Sequence, residues 1–420
     1  MPRSLCRTIL RQVIKCKSRR ISQGLLQRQL RHANATGFRD IESLIHESQK
    51  KLSDLTALSN IISAYFTDFK RGQMAVKRKA IALISGGLDS MLAARLILEQ
   101  GVHVEGLNIF TGFCVEGHTH AIRNRDKKRQ KRNNALWSAE QIGIKLHIIE
   151  AIEPYKEIVL NPKHGYGAHL NPCLDCKGFM VGKAREWMEQ NGFDFIITGE
   201  VLGQRPKSQR RSTFPVVARE SGAFDRLLRP LSAKLLPETL PERAGWVDRE
   251  RLYDISGRGR HVQMALAEKF GIEDYAQPAG GCCFLTDEAY SRKLQDFWNH
   301  REDKDYEFDD IMLLKVGRHM RPGTDWKLII ARDAGETQYL RGYRSKFAHL
   351  SITSHSGPLS LIDGPIQDRD VELAARLVAR FGSSRSAERV DVQFTDENGQ
   401  QRMLSVAPMQ PVEVQQQWYV

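Results

Sequence analysis

The sequence predicts an α/β fold: a parallel sheet covered by helices on both faces, followed by a small α+β C-terminal domain. Three observations lead there. Apolar runs of strand length at 79–85, 103–110, 145–151 and 193–199 are separated by helical periodicity at 89–100, 133–142 and 177–191. Such alternation argues for parallel strands joined by crossovers. The first run passes straight into Ser85-Gly86-Gly87-Leu88-Asp89-Ser90 and then a helical segment, the pattern of a buried strand, a tight glycine turn and a helix N-terminus. The other groups of chemically notable residues fall at predicted strand ends, where open α/β sheets bind ligands.

A chain of 420 residues has room for two or three domains, and 41% hydrophobic with 27% charged residues fits a soluble globular protein. No apolar run approaches the roughly 20 residues needed to cross a bilayer, so no membrane association is expected. The net charge of +13 points to a polyanionic partner, but it is unevenly spread. Residues 1–73 carry 14 Lys+Arg against 5 Asp+Glu, whereas the other 347 residues carry 49 against 45. Residues 1–39 have no acid at all and resemble a mitochondrial transit peptide. A disordered basic arm, or translated upstream sequence with the true start at Met74, would look the same. The expected compartment is therefore cytoplasmic, and mitochondrial only if the leader is genuine. The expected domains are a basic extension at 1–73, an α/β domain at 74–290, a linker at 291–307 and a small α+β domain at 308–420.

At the first strand-to-helix junction the leading N–H groups have no intrahelical partner and the dipole is positive, so an anion is favoured. Gly86 and Gly87 let backbone approach phosphate, and Ser85 and Ser90 add hydroxyls. Asp89 is the odd member; a carboxylate facing phosphates makes sense if it holds a bridging Mg²⁺.

After the second strand, seven of the ten residues 123–132 are basic. The run is either a solvated loop or a salt-sensitive contact with a nucleic-acid backbone. Next comes a glycine- and proline-marked loop ending in Asn171-Pro172-Cys173-Leu174-Asp175-Cys176, at a helix start where the dipole lowers thiol pKa. No second CxxC is present, which weakens a zinc reading. The further thiols are Cys282 and Cys283 in Pro278-Ala279-Gly280-Gly281-Cys282-Cys283, with Cys114 alone near the second strand end. Cys173, Cys176 and Cys282 or Cys283 can hold a [4Fe–4S] cluster, or act as a persulfide carrier with a resolving thiol. Seven cysteines without a secretory signal suit a reducing compartment. The fourth strand ends in Thr198-Gly199-Glu200, followed by Val201-Leu202-Gly203-Gln204. Small residues there admit a nucleotide, Glu200 suits Mg²⁺ or ribose, and Gln204 suits a phosphate.

SGGLDS, NPCLDC, TGEVLGQRPKSQ, LLRPLSAKLL, DISGRGR and PAGGCC occur in this order over about residues 78–290. Together they resemble the PP-loop ATP pyrophosphatases, of the adenine-nucleotide alpha-hydrolase-like fold. More closely, they resemble the adenylating domain of tRNA 4-thiouridine synthases and their 2-thiouridylase-like branch. The resemblance implies ATP-dependent adenylation of a tRNA uridine carbonyl oxygen, then displacement of AMP by sulfur. It implies Ser85, Gly86, Gly87, Asp89 and Ser90 on the phosphates and magnesium, and Thr198, Gly199 and Gln204 lining the nucleotide. It assigns sulfur handling to Cys173, Cys176 and one of Cys282 or Cys283. The implied partners are tRNA and a sulfur donor, either a cysteine desulfurase or a carrier, with a homodimer as one assembly.

The tail reads as paired strands at 311–319 and 326–333, a helix at 368–381 and strands at 389–394 and 402–406. Its Lys-Leu-Ile-Ile-Ala-Arg-Asp stretch resembles the RNA-binding module of NFACT-type proteins, which makes Arg318 and Arg332 the first RNA contacts to test. A structural cap or dimerisation domain is the alternative. Two other functions fit parts of the sequence: adenylation of a small metabolite for sulfur or ammonia transfer, and non-catalytic RNA binding set by ATP.

Overall fold

The computed structural model describes residues 78–115, 133–275 and 282–420. The basic extension, the basic run 123–132 and Gly280-Gly281 lie outside the described residues.

Five strands build the first sheet: β1 (Lys79–Leu83), β2 (His103–Phe110), β3 (Leu146–Glu150), β4 (Phe195–Ile197) and β5 (Leu227–Leu228). All pair in parallel in the order β3-β2-β1-β4-β5. The chain thus runs outward from β1 to β3, then returns to the other side of β1. That reversal puts a topological switch point between β1 and β4, and the crevice outside their C-terminal ends is the favoured ligand position.

Residues of β1 alternate between two cores, as a strand buried on both faces requires. Ala80 and Ala82 join a cluster with α1 (Leu88–Leu98), α2 (Asn134–Ile142) and α7 (His261–Lys269). Ile81 joins one with α4 (Cys173–Gln190) and α5 (Thr213–Glu220). Asn133 caps α2, accepting from Ala135 N at 2.9 Å and Leu136 N at 3.1 Å. Between them in sequence, α3 (Ile152–Leu160) follows β3, and α6 (Leu240–Arg243) is a single turn closed by a capping box from Thr239 and Glu242.

Residues 291–307, expected as a linker, begin inside α8 (Glu288–Asn299). Tyr290, Leu294, Phe297 and Trp298 of this helix are buried with Phe113, Tyr155 and Leu285. Apolar residues at helical spacing make α8 part of a core rather than a hinge. The strand expected from 311 is also corrected. Glu307 and Asp310 close a capping box, and α9 (Phe308–Leu313) takes up the apolar run.

The second sheet is antiparallel, in the order β11-β10-β8-β9-β7-β6. Its strands are β6 (Arg318–Met320), β7 (Lys327–Ile330), β8 (Ala348–Ile352), β9 (Leu359–Asp363), β10 (Val390–Thr395) and β11 (Gln401–Val406). After β7 comes α10 (Ala334–Arg341). One face is covered by α11 (Asp368–Ala379), which buries Val371, Ala374, Ala375 and Val378. Among the described residues no helix is long and apolar enough to cross a membrane.

Candidate active site

The loop Ile84–Ser90 connects β1 to α1 at the switch point. Gly86 has φ +82°, where an L side chain is strained, so the turn requires glycine. Gly87 is the N-cap of α1 and supplies no side-chain cap, which leaves the helix N-terminus open to an anion. Ser90 Oγ donates to Gly87 O at 2.7 Å and accepts from Ser85 N at 3.4 Å, folding the loop back on itself. Asn108 Nδ2 fastens the loop to β2 by donating to Ile84 O at 2.8 Å.

Asp89 Oδ2 accepts a hydrogen bond from Gln204 Nε2 at 3.0 Å, while Asp89 Oδ1 is buried with no protein partner. A buried carboxylate oxygen without a partner is costly unless a ligand completes it. An open helix N-terminus beside a half-satisfied carboxylate suits a triphosphate with its magnesium. One carboxylate plus phosphate oxygens is the usual way magnesium is held in nucleotide sites. ATP and Mg²⁺ therefore fit Ser85, Gly86, Gly87, Asp89 and Ser90.

The segment after β4 behaves differently from its sequence reading. A Cβ on Gly199 would lie 2.5 Å from Asp89 C and 2.5 Å from Ser90 N. Glycine is needed there so that the end of β4 can press on the N-terminus of α1; the position holds the loop in place through packing. Glu200 is tied to a distant arginine. It is buried, and its Oε2 accepts from Arg229 Nε at 3.1 Å and Thr198 Oγ1 at 3.2 Å. Arg229 in turn lies over the Phe214 ring at 4.0 Å. This buried pair explains why TGE and the downstream Leu228-Arg229-Pro230-Leu231 go together. Ser232 adds a second tie, accepting from Leu202 N at 2.9 Å and donating to Ile255 O at 2.6 Å. Gly257 N donates to Leu202 O at 2.7 Å, so the DISGRGR segment closes on the same loop.

The cysteines gather beside this loop. The helix α4 starts at Cys173, four residues before the predicted start, so both CxxC thiols sit in its first turn. Asn171 builds the approach: its Oδ1 accepts from His169 N at 3.1 Å and its Nδ2 donates to Cys173 Sγ at 3.1 Å. A Cβ on Gly167 would lie 2.2 Å from Asn171 Nδ2, so only glycine leaves room for that amide. Lowering of the Cys176 thiol by the helix dipole is not what the structure gives. Burial, with charge on Cys282, pushes it up to about 12, opposed by a hydrogen bond with Tyr155. Cys282 is the low-pKa thiol. A hydrogen bond from Cys283, helped by the charges of Arg205 and Lys177 against burial, brings it down to about 5. The same hydrogen bond, with burial and charge on Cys282, holds Cys283 well above the ordinary thiol range.

Gln204 and Arg205 are adjacent, one on Asp89 and the other acting on Cys282. That dipeptide links the phosphate loop to the thiols. Among the described residues no three His, Cys, Asp or Glu side chains converge to hold a metal ion. The described cysteines are therefore not arranged as a ready-made iron–sulfur site.

Sequence reading left two groups unassigned. Lys315 is buried; its Nζ donates to Gly112 O and to Met312 Sδ at 3.3 Å, and it lies 5.0 Å from the Phe284 ring centre. Burial lowers it to about 8, against the raising effect of charge on Cys114 and Cys283. Cys114 is paired with Cys283 in an isolated antiparallel bridge. Of the two arginines expected to meet RNA, Arg332 is committed elsewhere. Its guanidinium and backbone N–H both bond the fully buried Glu336, with Nε–Oε1 at 3.0 Å and N–Oε2 at 2.8 Å. Arg318 lies over the Phe381 ring at 5.0 Å.

Comparison with known proteins meets both parts of the resemblance. Residues 78–215 match the tRNA methyl transferase HUP domain family, and residues 317–419 match the NFACT protein RNA binding domain family. A tRNA-specific 2-thiouridylase of Syntrophus aciditrophicus is 22% identical over 241 residues, 53% of this chain and 56% of that protein. One from Petrotoga mobilis is 26% identical over 230 residues, covering 52% and 59%. A third, from Prochlorococcus marinus, is 33% identical over 126 residues, 28% of each chain. A crystal structure of a 4-thiouridine synthetase–RNA complex with bound ATP overlaps 46% of this chain and 50% of that one, at 20% identity and TM-score 0.29. The chain thus spans little more than half the length of the first of these curated relatives.

Proposed function

We propose that the protein is an ATP-dependent tRNA-thiolating enzyme, which adenylates a uridine carbonyl oxygen and replaces it with sulfur carried on a cysteine. The observation that carries this reading is the Gln204-Arg205 link: an anion-binding helix N-terminus with a half-satisfied Asp89 sits beside a low-pKa thiol. Relatives that are tRNA-specific 2-thiouridylases and a C-terminal match to an RNA-binding domain support tRNA as the substrate.

A carbonyl oxygen is a poor leaving group, and adenylation converts it to AMP. Open N–H groups at Gly86–Ser90 and the Ser85 and Ser90 hydroxyls would stabilise charge on the departing pyrophosphate. Asp89 would hold magnesium, which when bound supplies charge neutralisation across the phosphates. Gln204 fixes the Asp89 carboxylate and leaves Oδ1 for that task. A persulfide on Cys282 or Cys283 would then attack the activated carbon as AMP leaves, and a second thiol would take the cysteine sulfur as a disulfide, freeing the thiocarbonyl, so that one difficult displacement becomes easier steps. Cys282, at the surface and with its thiolate favoured by the Cys283 hydrogen bond and the charge of Arg205, is suited to accept sulfur from a cysteine desulfurase or carrier protein.

Pyrophosphate release should depend on added tRNA and vanish in Asp89→Ala. Release at the wild-type rate in that variant would refute the site. Release that is indifferent to tRNA would move the assignment to a small metabolite.

A further inference from the structure

The DISGRGR segment closes on the loop after β4, yet it has no task in the chemistry above. Ser256 forms a parallel bridge with Leu202, and a Cβ on Gly203 would lie 3.5 Å from Gly257 N. Both glycines take positive φ, +78° and +81°, so two glycine turns meet here, next to the Gln204 that holds Asp89. From this junction α7 runs alongside α1 in the same direction. Leu266 and Ala267 pack in the α1 core, and the Arg95 guanidinium of α1 lies 5.9 Å from the Phe270 ring at the far end of α7. The two helix N-termini therefore open on the same side.

Three observations make the second N-terminus a binding site. Arg260, the N-cap of α7, supplies no side-chain cap, so the leading N–H groups are open to an anion. Gln263, in the first turn, is fully buried, and neither its Oε1 nor its Nε2 has a protein partner. Helical side chains lean back toward the N-terminus of their helix, which carries this amide under residues 256–260. A buried amide without partners is costly unless a ligand completes it. Charge points the same way: residues 203–211 and 256–263 hold Arg205, Lys207, Arg210, Arg211, Arg258 and Arg260 and no acid. Lys207 and Arg211 bond backbone carbonyls, of Tyr166 at 3.3 Å and Leu235 at 2.9 Å, which leaves their charge uncancelled.

We propose that the Gly203 and Gly257 turns and the N-terminus of α7 form a clamp for the sugar–phosphate backbone of the RNA strand beside the phosphate loop. One phosphate sits on the open N–H groups of α7 and on Gln263 Nε2. A phosphate has no proton to give Gln263 Oε1, but the ribose 2′-hydroxyl of an RNA strand does. ATP offers the same chemistry, but its triphosphate has the α1 N-terminus already. Six cations spread over two loops fit several successive phosphates better than one more of a nucleotide. The proposal rests on the thiolation reading only in taking RNA as the partner.

The test uses the full chain as wild type, as the double variant Arg258→Gln with Arg260→Gln, and as Gln263→Leu. Binding of bulk tRNA is measured by filter retention between about 50 and about 200 mM salt, and binding of ATP by calorimetry. The double variant should bind tRNA about 10-fold more weakly at the lower salt, with a salt slope shallower by about 1–2. Its Kd for ATP should stay within about twofold of wild type. Gln263→Leu removes an unpartnered amide at nearly constant volume, so it should melt at or above the wild-type Tm and still bind tRNA more weakly. Unchanged tRNA affinity and slope in the double variant, while the wild type thiolates RNA, would refute the clamp and leave the function standing. Weaker ATP binding with normal tRNA binding would give the anion site to the nucleotide and refute the clamp. A lower Tm with normal tRNA binding in Gln263→Leu would make that amide part of the fold and remove it from the clamp. Weaker tRNA binding in both variants, with no nucleoside thiolated by the wild type, would support the clamp and refute thiolation.

Discussion

Gln204 Nε2 donates to Asp89 Oδ2 at 3.0 Å, a contact across 115 residues that leaves the other carboxylate oxygen buried without a protein partner. Removing the carboxylate should be far more damaging than removing its holder. Asp89→Ala should lower tRNA-dependent pyrophosphate release by about 10²–10³-fold or more, the scale of losing a preorganised charge-stabilising group. Gln204→Ala loses one hydrogen bond to a charged group, worth about 1.5–3 kcal/mol, and should lower release by about 10–100-fold. Steady-state pyrophosphate assays on both variants check the order.

Gly199→Ala should disturb the loop without touching chemistry directly. The added Cβ would meet the Asp89 and Ser90 backbone at 2.5 Å, and neither can move without shifting α1. Overpacking of this kind costs about 1–3 kcal/mol. A lower Tm together with a raised KM for ATP is expected. A normal Tm with normal KM would show that β4 does not press on the loop.

The Glu200–Arg229 pair is buried on both sides, so removing one partner strands the other. Arg229→Met should cost about 3–5 kcal/mol, seen as a lower urea midpoint. Glu200→Gln with Arg229→Met should recover part of that loss. An equal or greater loss in the double variant would contradict the pairing.

Ionisation separates the thiols. With Cys282 at about 5 and Cys176 at about 12, alkylation of Cys282 should be nearly pH-independent from pH 6 to 8, while Cys176 stays unmodified. Losing the positive charge of Arg205 disfavours the thiolate, so Arg205→Met should move the Cys282 midpoint upward. Iodoacetamide kinetics followed peptide by peptide will show it.

In the C-terminal sheet, the two arginines should respond differently. Arg332→Ala strands the buried Glu336 and should lower Tm. Arg318→Ala should leave Tm close to wild type and weaken tRNA binding in a salt-dependent way. Filter binding at two salt concentrations and thermal melts distinguish the two.

Much of the fold was legible because its signals are local. The apolar strand feeding Ser85-Gly86-Gly87 fixes the loop, and alternating patterns fix the parallel sheet. What was misread depends on distant partners. Glu200 looks like a ligand in a polar string, and only the fold shows Arg229 beside it. Gly199 reads as a nucleotide liner, and only the fold shows how closely it approaches the Asp89 and Ser90 backbone. Residues 291–307 read as a charged, helix-like linker, and only the fold shows Tyr290, Leu294, Phe297 and Trp298 buried in a core. The strand β5 has two residues, too few for any period to show. Cys114 opposite Cys283 is a tertiary fact with no sequence signal.

The most direct test of thiolation is mass spectrometry of nucleosides from bulk tRNA of a deletion strain, complemented with wild-type protein or Asp89→Ala. One thiolated uridine should be lost, restored by wild type and not by Asp89→Ala. An unchanged thionucleoside profile, in a strain lacking redundant thiolating enzymes, would contradict it.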